Sequence, residues 1–386
     1  MKDTAYFEDA DNDLAAFLRL IDRTTGPTDA PRADEIAQNV PVYDMVRHVS
    51  SLAKPDARRA LMGEWANVLG QGAGVLVLRG AYADTAPIDA ATRAFEAIIA
   101  DEKGRGGADH FAASGANDRV WNALQKLCMN DPATFALYFG NPVIAAVCEA
   151  WLGPGYQMTA QVNLVRPGGK PQLPHRDYHL GFQTADMALR FPAHVHDLSA
   201  AMTLQGAVAH CDMPVESGPT RLLPFSQLFR PGYLAYRLSA FAALFEERCV
   251  QLPLSKGDAV FFNPALFHGA GANDSADIDR MANLLQVSSP FGRAMEVVDR
   301  GAMCRALYPA LKDLRDAGRM GPGQVAAAIA ACAEGYSFPT NLDTDPPEGG
   351  LAPETQAALF ARALQAGLDA ASLDGELSAH EARRRP

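Results

Sequence analysis

Residues 257–271 read GDAVFFNPALFHGAG, and residues 174–179 read PHRDYH. Side chains two apart in an extended strand point to the same face, so His175 and Asp177 are predicted to lie side by side. The longer stretch has the pattern of a turn and a strand, which would bring His268 into the same barrel. Two imidazoles and one carboxylate cover one face of an octahedral ferrous ion and leave three positions open. The two stretches therefore predict a metal site formed by His175, Asp177 and His268.

The chain around these motifs is a series of short strand patterns separated by Pro and Gly turns. Strands are expected at residues 75–78, 156–166, 203–211, 250–253, 258–263 and 281–289. Helical periodicity is expected on either side, at residues 57–69, 87–103, 117–128, 141–152, 303–316, 323–333 and 354–370. Strands that follow one another without long intervening helices favour an antiparallel sandwich or barrel with a helical layer.

A set of motifs occurs in a characteristic order: Asn163–Gly168, the His-x-Asp pair, Gly218–Pro224, the 257–271 stretch and Arg280. That order resembles the phytanoyl-CoA dioxygenase family, from about Gly72 to Pro290. The resemblance implies a fold that is mainly β with α additions, with a double-stranded β-helix (jelly-roll) core flanked by helices. It also implies a non-haem Fe(II)- and 2-oxoglutarate-dependent dioxygenase. Such an enzyme hydroxylates a small organic substrate with O2 and releases succinate and CO2.

The resemblance also assigns a role to Arg280, which follows His268 by 12 residues. In that family an arginine at about this distance pairs with the distal carboxylate of 2-oxoglutarate, and a planar guanidinium suits such a pair. The alternative is a solvated arginine at the end of the polar loop 273–277. The apolar strand that follows Arg280 favours the binding role.

Three further polar residues are candidates for contacts with the cosubstrate. Gln161 and Asn163 share one face of a predicted strand and are expected to donate hydrogen bonds to its other carboxylate. Either amide would equally serve to satisfy a buried backbone group. Thr220 follows a Gly-Pro turn and either faces the same cavity or stabilises that turn.

Two positions bear on how closely the chain follows the family pattern. Residues 224–227 read Pro-Phe-Ser-Gln where the family usually has Pro-Gly-Ser-His, so a family histidine is missing near the substrate side. Some relatives that halogenate have Ala or Gly in place of the carboxylate ligand. Asp177 is present, which favours hydroxylation.

Three more histidines are candidates for contacts with the substrate. His179 would lie on the same inward face as Asp177 if the strand continues, whereas Arg176 and Tyr178 would point the other way. The segment His194-Val195-His196-Asp197 is expected to form a loop over the mouth of the site. A His-x-His-Asp run can also hold zinc, so a zinc-dependent hydrolase that uses His194, His196 and Asp197 is an alternative function. A catalytically silent jelly-roll protein that binds a ligand is another.

Composition narrows the range of partners. Of the 386 residues, 34 are Lys or Arg and 45 are Asp or Glu, which gives a formal net charge of -11 and argues against nucleic-acid binding. No apolar run is long enough to cross a bilayer and the N-terminus is acidic, so a cytoplasmic protein without membrane contact is expected. Six scattered cysteines suggest reduced core residues rather than disulfides or a zinc cluster. A monomer and a homodimer are both compatible with the sequence.

The predicted domain plan has four parts. Residues 1–55 are expected to wrap the surface as an N-terminal extension. Residues 56–300 hold the catalytic β-helix domain and its helical layer, and residues 301–372 a C-terminal helical extension. Residues 373–386, with their terminal Arg-rich run, are expected to be a disordered tail.

Overall fold

The computed structural model describes residues 5–104, 117–347 and 349–386. Within these ranges the chain forms ten strands. They are β1 (Glu35–Ala37), β2 (Val40–Asp44), β3 (Val75–Arg79), β4 (Asn117–Val120), β5 (Gln157–Val165), β6 (Thr203–Ala209), β7 (Arg221–Leu223), β8 (Ala259–Phe262), β9 (Phe267–Gly269) and β10 (Arg280–Ser288).

The strands are arranged in two sheets. The large sheet has the order β1-β2-β3-β8-β6-β10-β5-β4 and is antiparallel except between β2 and β3. The small sheet pairs β7 with β9 and is extended by the isolated bridges His175↔His268 and Leu222↔Val250. Apolar side chains of both sheets, among them Val77, Val260 and Leu222, pack in one cluster between them. The predicted double-stranded β-helix is confirmed.

Helices surround the two sheets. In chain order they are α1 (Leu14–Ile21), α2 (Met45–Leu52), α3 (Pro55–Gly70), α4 (Ala86–Gly104), α5 (Ala123–Asn130), α6 (Pro132–Phe139), α7 (Pro142–Leu152), α8 (Ala185–Ala188), α9 (Ala193–Ala201), α10 (Gly232–Ala235), α11 (Ser239–Arg248), α12 (Arg300–Asp316), α13 (Pro322–Cys332), α14 (Gln356–Ala366) and α15 (Ala370–Arg384). Short 3-10 helices lie at Asp9–Asp11, His179–Phe182, Val215–Ser217 and Ser226–Leu228.

The large sheet has two faces with different neighbours because its side chains alternate. On β10, Met281, Leu285 and Val287 belong to the main core that the sheet shares with helices such as α6, α7 and α12. The alternate residues Ala282 and Leu284 face the space between the sheets. Helices hold about 46% of the residues and strands about 16%, so the β core is small relative to its helical cover.

The N-terminal segment contacts both sheets. Strand β2 pairs in parallel with β3 and so extends the large sheet. Helix α1 lies on the opposite side, where its fully buried Phe17 packs against Phe229, Phe241 and Phe267. Phe267 belongs to β9 and directly precedes His268, so α1 supports the strand that carries a predicted ligand.

Three secondary-structure predictions are corrected. Residues 117–128 were expected to form one helix, but β4 occupies their start and α5 begins only at Ala123. Residues 250–253 contribute a single bridge at Val250 rather than a strand. The expected disordered tail is mostly helical: α15 runs to Arg384 and buries Leu373 and Leu377. Its arginines are in the last turn, where cations interact favourably with the helix dipole.

The cysteines are free, as expected, and four of the six are buried. In the described ranges no single helix is both long and apolar enough to cross a bilayer. Helices α6 and α7 reach that length and apolar composition only when they are counted together, and the chain bends by 63° between them.

Candidate metal centre

Three side chains meet at the open end of the β-helix. His175, Asp177 and His268 each offer a ligand atom, and these atoms lie within 4.8 Å of one another. The Nε2 atoms of His175 and His268 are each 3.6 Å from an oxygen of Asp177. The two imidazole rings have their centroids 4.4 Å apart. The predicted set of three ligands is therefore brought together by the fold.

The backbone fixes this cluster in a way that differs from the predicted strand. His175 and His268 are antiparallel bridge partners, and each amide donates to the other's carbonyl, at 3.0 and 3.1 Å. The amide of Asp177 donates to the carbonyl of Pro264, 3.1 Å away. Thus the two ligand-bearing segments are held against each other although His175 and Asp177 belong to no continuous strand.

Both histidines present the same ring nitrogen to the cluster. Nδ1 of His175 lies 2.9 Å from the carbonyl oxygen of Leu173, and Nδ1 of His268 lies 2.8 Å from that of Leu266. A carbonyl oxygen can only accept, so Nδ1 carries the proton in each ring. The lone pair of Nε2 then faces Asp177, which is the arrangement that metal-binding histidines adopt.

The protonation states also suit a cation. Burial and the neighbouring His268 lower the pKa of His175, so its ring is neutral near pH 7. Burial alone would raise the pKa of Asp177, but the adjacent His268 and His175 and a hydrogen bond from Gln205 outweigh it and lower that pKa to about 2. The cluster therefore offers Nε2 atoms of two imidazoles and one carboxylate. Two nitrogens and one hard oxygen fit a ferrous ion in a facial arrangement.

A cavity of about 850 Å³ opens beside the cluster. Its inner wall is formed by small and apolar side chains of the large sheet, including Ala207, Ala282 and Val260. All three ligand residues line it, as do the four predicted cosubstrate residues Gln161, Asn163, Thr220 and Arg280. Small side chains on the sheet leave room for a second molecule next to the metal.

Arg280 is a buried cation at the start of β10, with 6% of its surface exposed. Its Nη1 donates to the carbonyls of Ser217 and Gly271, at 3.2 and 3.3 Å. No carboxylate among the described residues pairs with it. Burial lowers its pKa to about 10, so the guanidinium remains charged near pH 7. A buried guanidinium without an acidic partner is costly unless an anion binds beside it, which fits the carboxylate of 2-oxoglutarate.

The other predicted cosubstrate residues differ in their surroundings. Asn163 pairs with Ala282 across the sheet, and its buried Oδ1 has no hydrogen-bond partner in the described structure. Gln161 is engaged elsewhere: its Oε1 accepts from Arg119 at 3.2 Å, and its Nε2 lies 3.7 Å from the sulfur of Met295. Their roles toward the cosubstrate, and that of Thr220, stay predictions.

The chain turns sharply immediately after Asp177. Tyr178 and His179 have positive φ angles of 64° and 35°, so the expected strand ends there. As a result His179 does not line the cavity; its Nδ1 lies 3.5 Å from the hydroxyl of Ser199. Tyr178 was expected to point outward, but it is buried and its hydroxyl donates to Gln286. Arg176 has the predicted structural role, since it is buried and donates to the carbonyls of Ser226 and Phe229.

The segment 194–197 lies in α9 and not in a loop over the cavity. His194 is exposed, whereas His196 is buried, bonds to the carbonyl of Ala188 and contacts Phe7. Asp197 pairs with Arg230. Residues two apart on a helix point in different directions, so these side chains form no common ligand set. Neither histidine lines the cavity, and among the described residues the candidate metal group is that of His175, Asp177 and His268.

One residue of the site was not anticipated. The side-chain amide of Gln205 donates to Oδ2 of Asp177, and Gln205 is 4% exposed on β6. A signal for it is present in the sequence: in the strand Thr203–Ala209 it is a long polar side chain amid apolar neighbours, and period-two alternation puts it on the face of Ala207.

The chain has similarities to known proteins. The family described as phytanoyl-CoA dioxygenase matches residues 70–282, more than half of the chain. A protein of Emericella variicolor named dioxygenase andF is 29% identical over 147 residues, which cover 36% of this chain and 45% of that protein. The chain thus matches less than half the length of this curated relative.

Solved structures with similarity include two enzymes of nogalamycin biosynthesis. One is the non-haem alpha-ketoglutarate-dependent epimerase SnoN, at 21% identity and a TM-score of 0.41, with 61% of this chain and 84% of that chain covered. The other is the non-haem alpha-ketoglutarate-dependent carbocyclase SnoK, at 21% identity and a TM-score of 0.42, with 60% and 86% covered.

Proposed function

The chain belongs to the phytanoyl-CoA dioxygenase family, and from this membership and the geometry of the site we propose that it is a non-haem Fe(II)- and 2-oxoglutarate-dependent dioxygenase. The proposed reaction is hydroxylation of a small organic substrate with O2, with release of succinate and CO2. The observation that carries the proposal is that His175, Asp177 and His268 line the same cavity as Arg280. Arg280 is buried and pairs with no carboxylate of the described residues.

Bound iron and 2-oxoglutarate would supply the oxidising chemistry by activating O2 as the 2-oxo acid loses CO2. The protein's part is to hold the reactants. The two Nε2 atoms and the carboxylate of Asp177 would bind one side of the ion, and Gln205 fixes the direction of that carboxylate. Because the three ligands come from one side, the side toward the cavity stays open.

Arg280 would orient the cosubstrate. Its guanidinium is held by two backbone carbonyls, so little side-chain freedom is lost when a carboxylate binds. The apolar wall around it, formed by Ala282, Val260 and Phe262 among others, excludes water and strengthens the charge pair.

The first test is an anaerobic titration of the Fe(II)-loaded protein with 2-oxoglutarate, followed by the weak visible metal-to-ligand absorption band. We expect a band in the wild type, no band in His175→Ala, and a band that needs at least tenfold more 2-oxoglutarate in Arg280→Ala. His194→Ala is the matched control, because this histidine is exposed on α9 and outside the cavity. A folded, iron-loaded protein without the band would refute the proposal and favour a silent binding protein.

A further inference from the structure

The cavity has an outer part with a character of its own. Side chains that are wholly or partly exposed surround its opening, here called the mouth: Arg119, Trp121, Lys170, Leu173, Phe182, Arg237 and Met295. Three of these are cationic and the remainder are aromatic or apolar. Arg280, Ala207 and Val260 of the inner wall are, by contrast, buried.

Charge is distributed unevenly between the cavity and the rest of the chain. The whole chain has a formal net charge of -11, yet the lining has one carboxylate, Asp177, against five Lys or Arg side chains. If iron and 2-oxoglutarate bind as proposed, their charges cancel those of Asp177 and Arg280. Lys170 and Arg237 are not needed for either. They therefore give the space left for the substrate a positive potential.

Arg237 is held rigidly at the mouth without being neutralised. Its Nη1 donates to the carbonyl of Tyr233 at 3.0 Å, its Nη2 donates to the carbonyls of Gly181 and Gln183, and its guanidinium lies 4.2 Å from the ring centre of Tyr236. No carboxylate of the described residues pairs with it. Carbonyls and a ring fix the direction of a guanidinium but leave its full charge, so Arg237 is ordered in advance for an anion.

Lys170 adds a second cation, from the segment that leads to His175. It is exposed, lies five residues before His175, and makes no ion pair with the described residues. Exposed lysines are common on any protein surface. Lys170 is a candidate for substrate binding because it lines the cavity. Lys170 and Arg237 come from separate segments and both border the same opening.

Apolar side chains stand beside these cations. Leu173 is 82% and Phe182 54% exposed, and the ring of Trp121 lies under the guanidinium of Arg119 at 5.1 Å. Exposed large apolar groups at the opening of a cavity are typical of ligand-binding surfaces. A molecule that binds here would place an apolar part against Leu173 and Phe182.

We propose that the substrate is an organic anion, whose negative group is bound by Arg237 and Lys170 and whose apolar or aromatic part lies against Leu173, Phe182 and Trp121. This inference rests on the proposed function, because it assigns Arg280 to the cosubstrate, while Arg176, the other buried cation of the lining, is bound to the carbonyls of Ser226 and Phe229. The same potential disfavours organic cations as substrates.

The test uses two fluorescent probes that share one aromatic body. 8-Anilinonaphthalene-1-sulfonate carries a negative sulfonate, and N-phenyl-1-naphthylamine is neutral. Each is titrated anaerobically into the full-length protein loaded with Fe(II) and 2-oxoglutarate. We expect Lys170→Glu and Arg237→Gln each to weaken binding of the sulfonate about threefold to tenfold and to change binding of the neutral probe less than twofold.

Two further variants serve as controls for the probe titrations. Lys170→Gln removes a charge from an exposed side chain that makes no ion pair with the described residues, so it should weaken sulfonate binding less than Lys170→Glu but in the same direction. Arg59→Gln removes an exposed cation of α3 outside the cavity and should affect neither probe. Equal changes for both probes, or unchanged sulfonate binding in Lys170→Glu and Arg237→Gln, would overturn the proposal.

The two proposals fail separately. Loss of the visible 2-oxoglutarate band with retained discrimination between the probes would refute the dioxygenase and keep an anion-binding mouth. A normal band without discrimination would keep the dioxygenase and refute the anionic substrate.

Discussion

The side-chain amide of Gln205 donates a hydrogen bond to Oδ2 of Asp177, and both residues line the cavity. Gln205 lies on the rigid large sheet, whereas Asp177 lies in a segment that turns sharply immediately afterwards. The hydrogen bond therefore fixes the orientation of the Asp177 carboxylate relative to the large sheet.

Replacement of Gln205 should weaken metal binding without unfolding the protein. For Gln205→Leu we expect Fe(II) affinity to fall about tenfold, because loss of a group that orients a ligand typically costs 10- to 100-fold. Calorimetric titration under anaerobic conditions measures it. Gln286→Leu is the matched control: it removes another amide from the same wall, one that bonds to Tyr178 and not to a ligand. Equal affinities of Gln205→Leu and wild type would contradict the role assigned to Gln205.

Arg280→Lys should keep the charge and still lose affinity for 2-oxoglutarate. An ammonium group cannot form two parallel hydrogen bonds to a carboxylate, so we expect about a tenfold higher dissociation constant. The anaerobic absorption titration measures the change. Arg221→Lys serves as the control, since Arg221 already has Glu246 as its partner. If both variants lose affinity equally, Arg280 has no special part in cosubstrate binding.

Phe17→Ala should lower the free energy of unfolding by about 3–5 kcal/mol, the usual cost of removing a buried aromatic ring. Phe17 is fully buried among Phe229, Phe241 and Phe267. Urea denaturation followed by circular dichroism measures the loss. Leu18→Ala, on the partly exposed side of α1, should cost less than 1 kcal/mol. A similar cost for both would mean that α1 does not support β9.

Acid should destabilise the protein through His210. Its ring is buried between the hydroxyls of Thr92 and Tyr138, each 2.8 Å away, and burial, with a contribution from Lys256, lowers its pKa to about 3. Because the folded state binds this proton more weakly than the unfolded state, the stabilisation is complete above pH 6.5 and is lost as the pH falls toward 3. Unfolding free energies measured between pH 7 and 4 should fall less steeply in His210→Gln. An unchanged slope would show that other groups control the acid response.

The sequence was most informative where local pattern and tertiary position agree. The 257–271 stretch predicts the turn, β8 and the delivery of His268, because its strand alternation and its Gly and Pro positions all act locally. Pairing of His175 with His268 depends on a contact across 93 positions of the chain, and no local pattern encodes it. The sharp turn at Tyr178 likewise comes from the packing of its ring on the sheet side, which overrides the strand pattern.

Two other predictions, for residues 194–197 and for the C-terminal tail, were wrong because the helical pattern of the neighbouring residues decides the structure. Residues 194–197 were expected to form a loop, but Pro192 is the N-cap of α9, which begins at the next residue. The arginines at 383–385 suggested a solvated tail, although Leu373, Leu377 and His380 recur at helical spacing and form a buried face. The candidate ligands could be predicted because chemistry restricts them to few residue types. Gln205 could not be singled out, since many glutamines satisfy only backbone groups.

The mutual hydrogen bonds between His175 and His268 link the metal to the kinetics of the barrel. The two amides that join these segments belong to the residues whose side chains would bind the ion. Exchange of these amide protons with solvent requires the two segments to separate, and separation also takes the ligands apart. A bound ion would therefore resist that separation and slow the exchange of both amides. Isotope exchange at these two amides would then report whether the metal site is occupied, without any measurement of turnover.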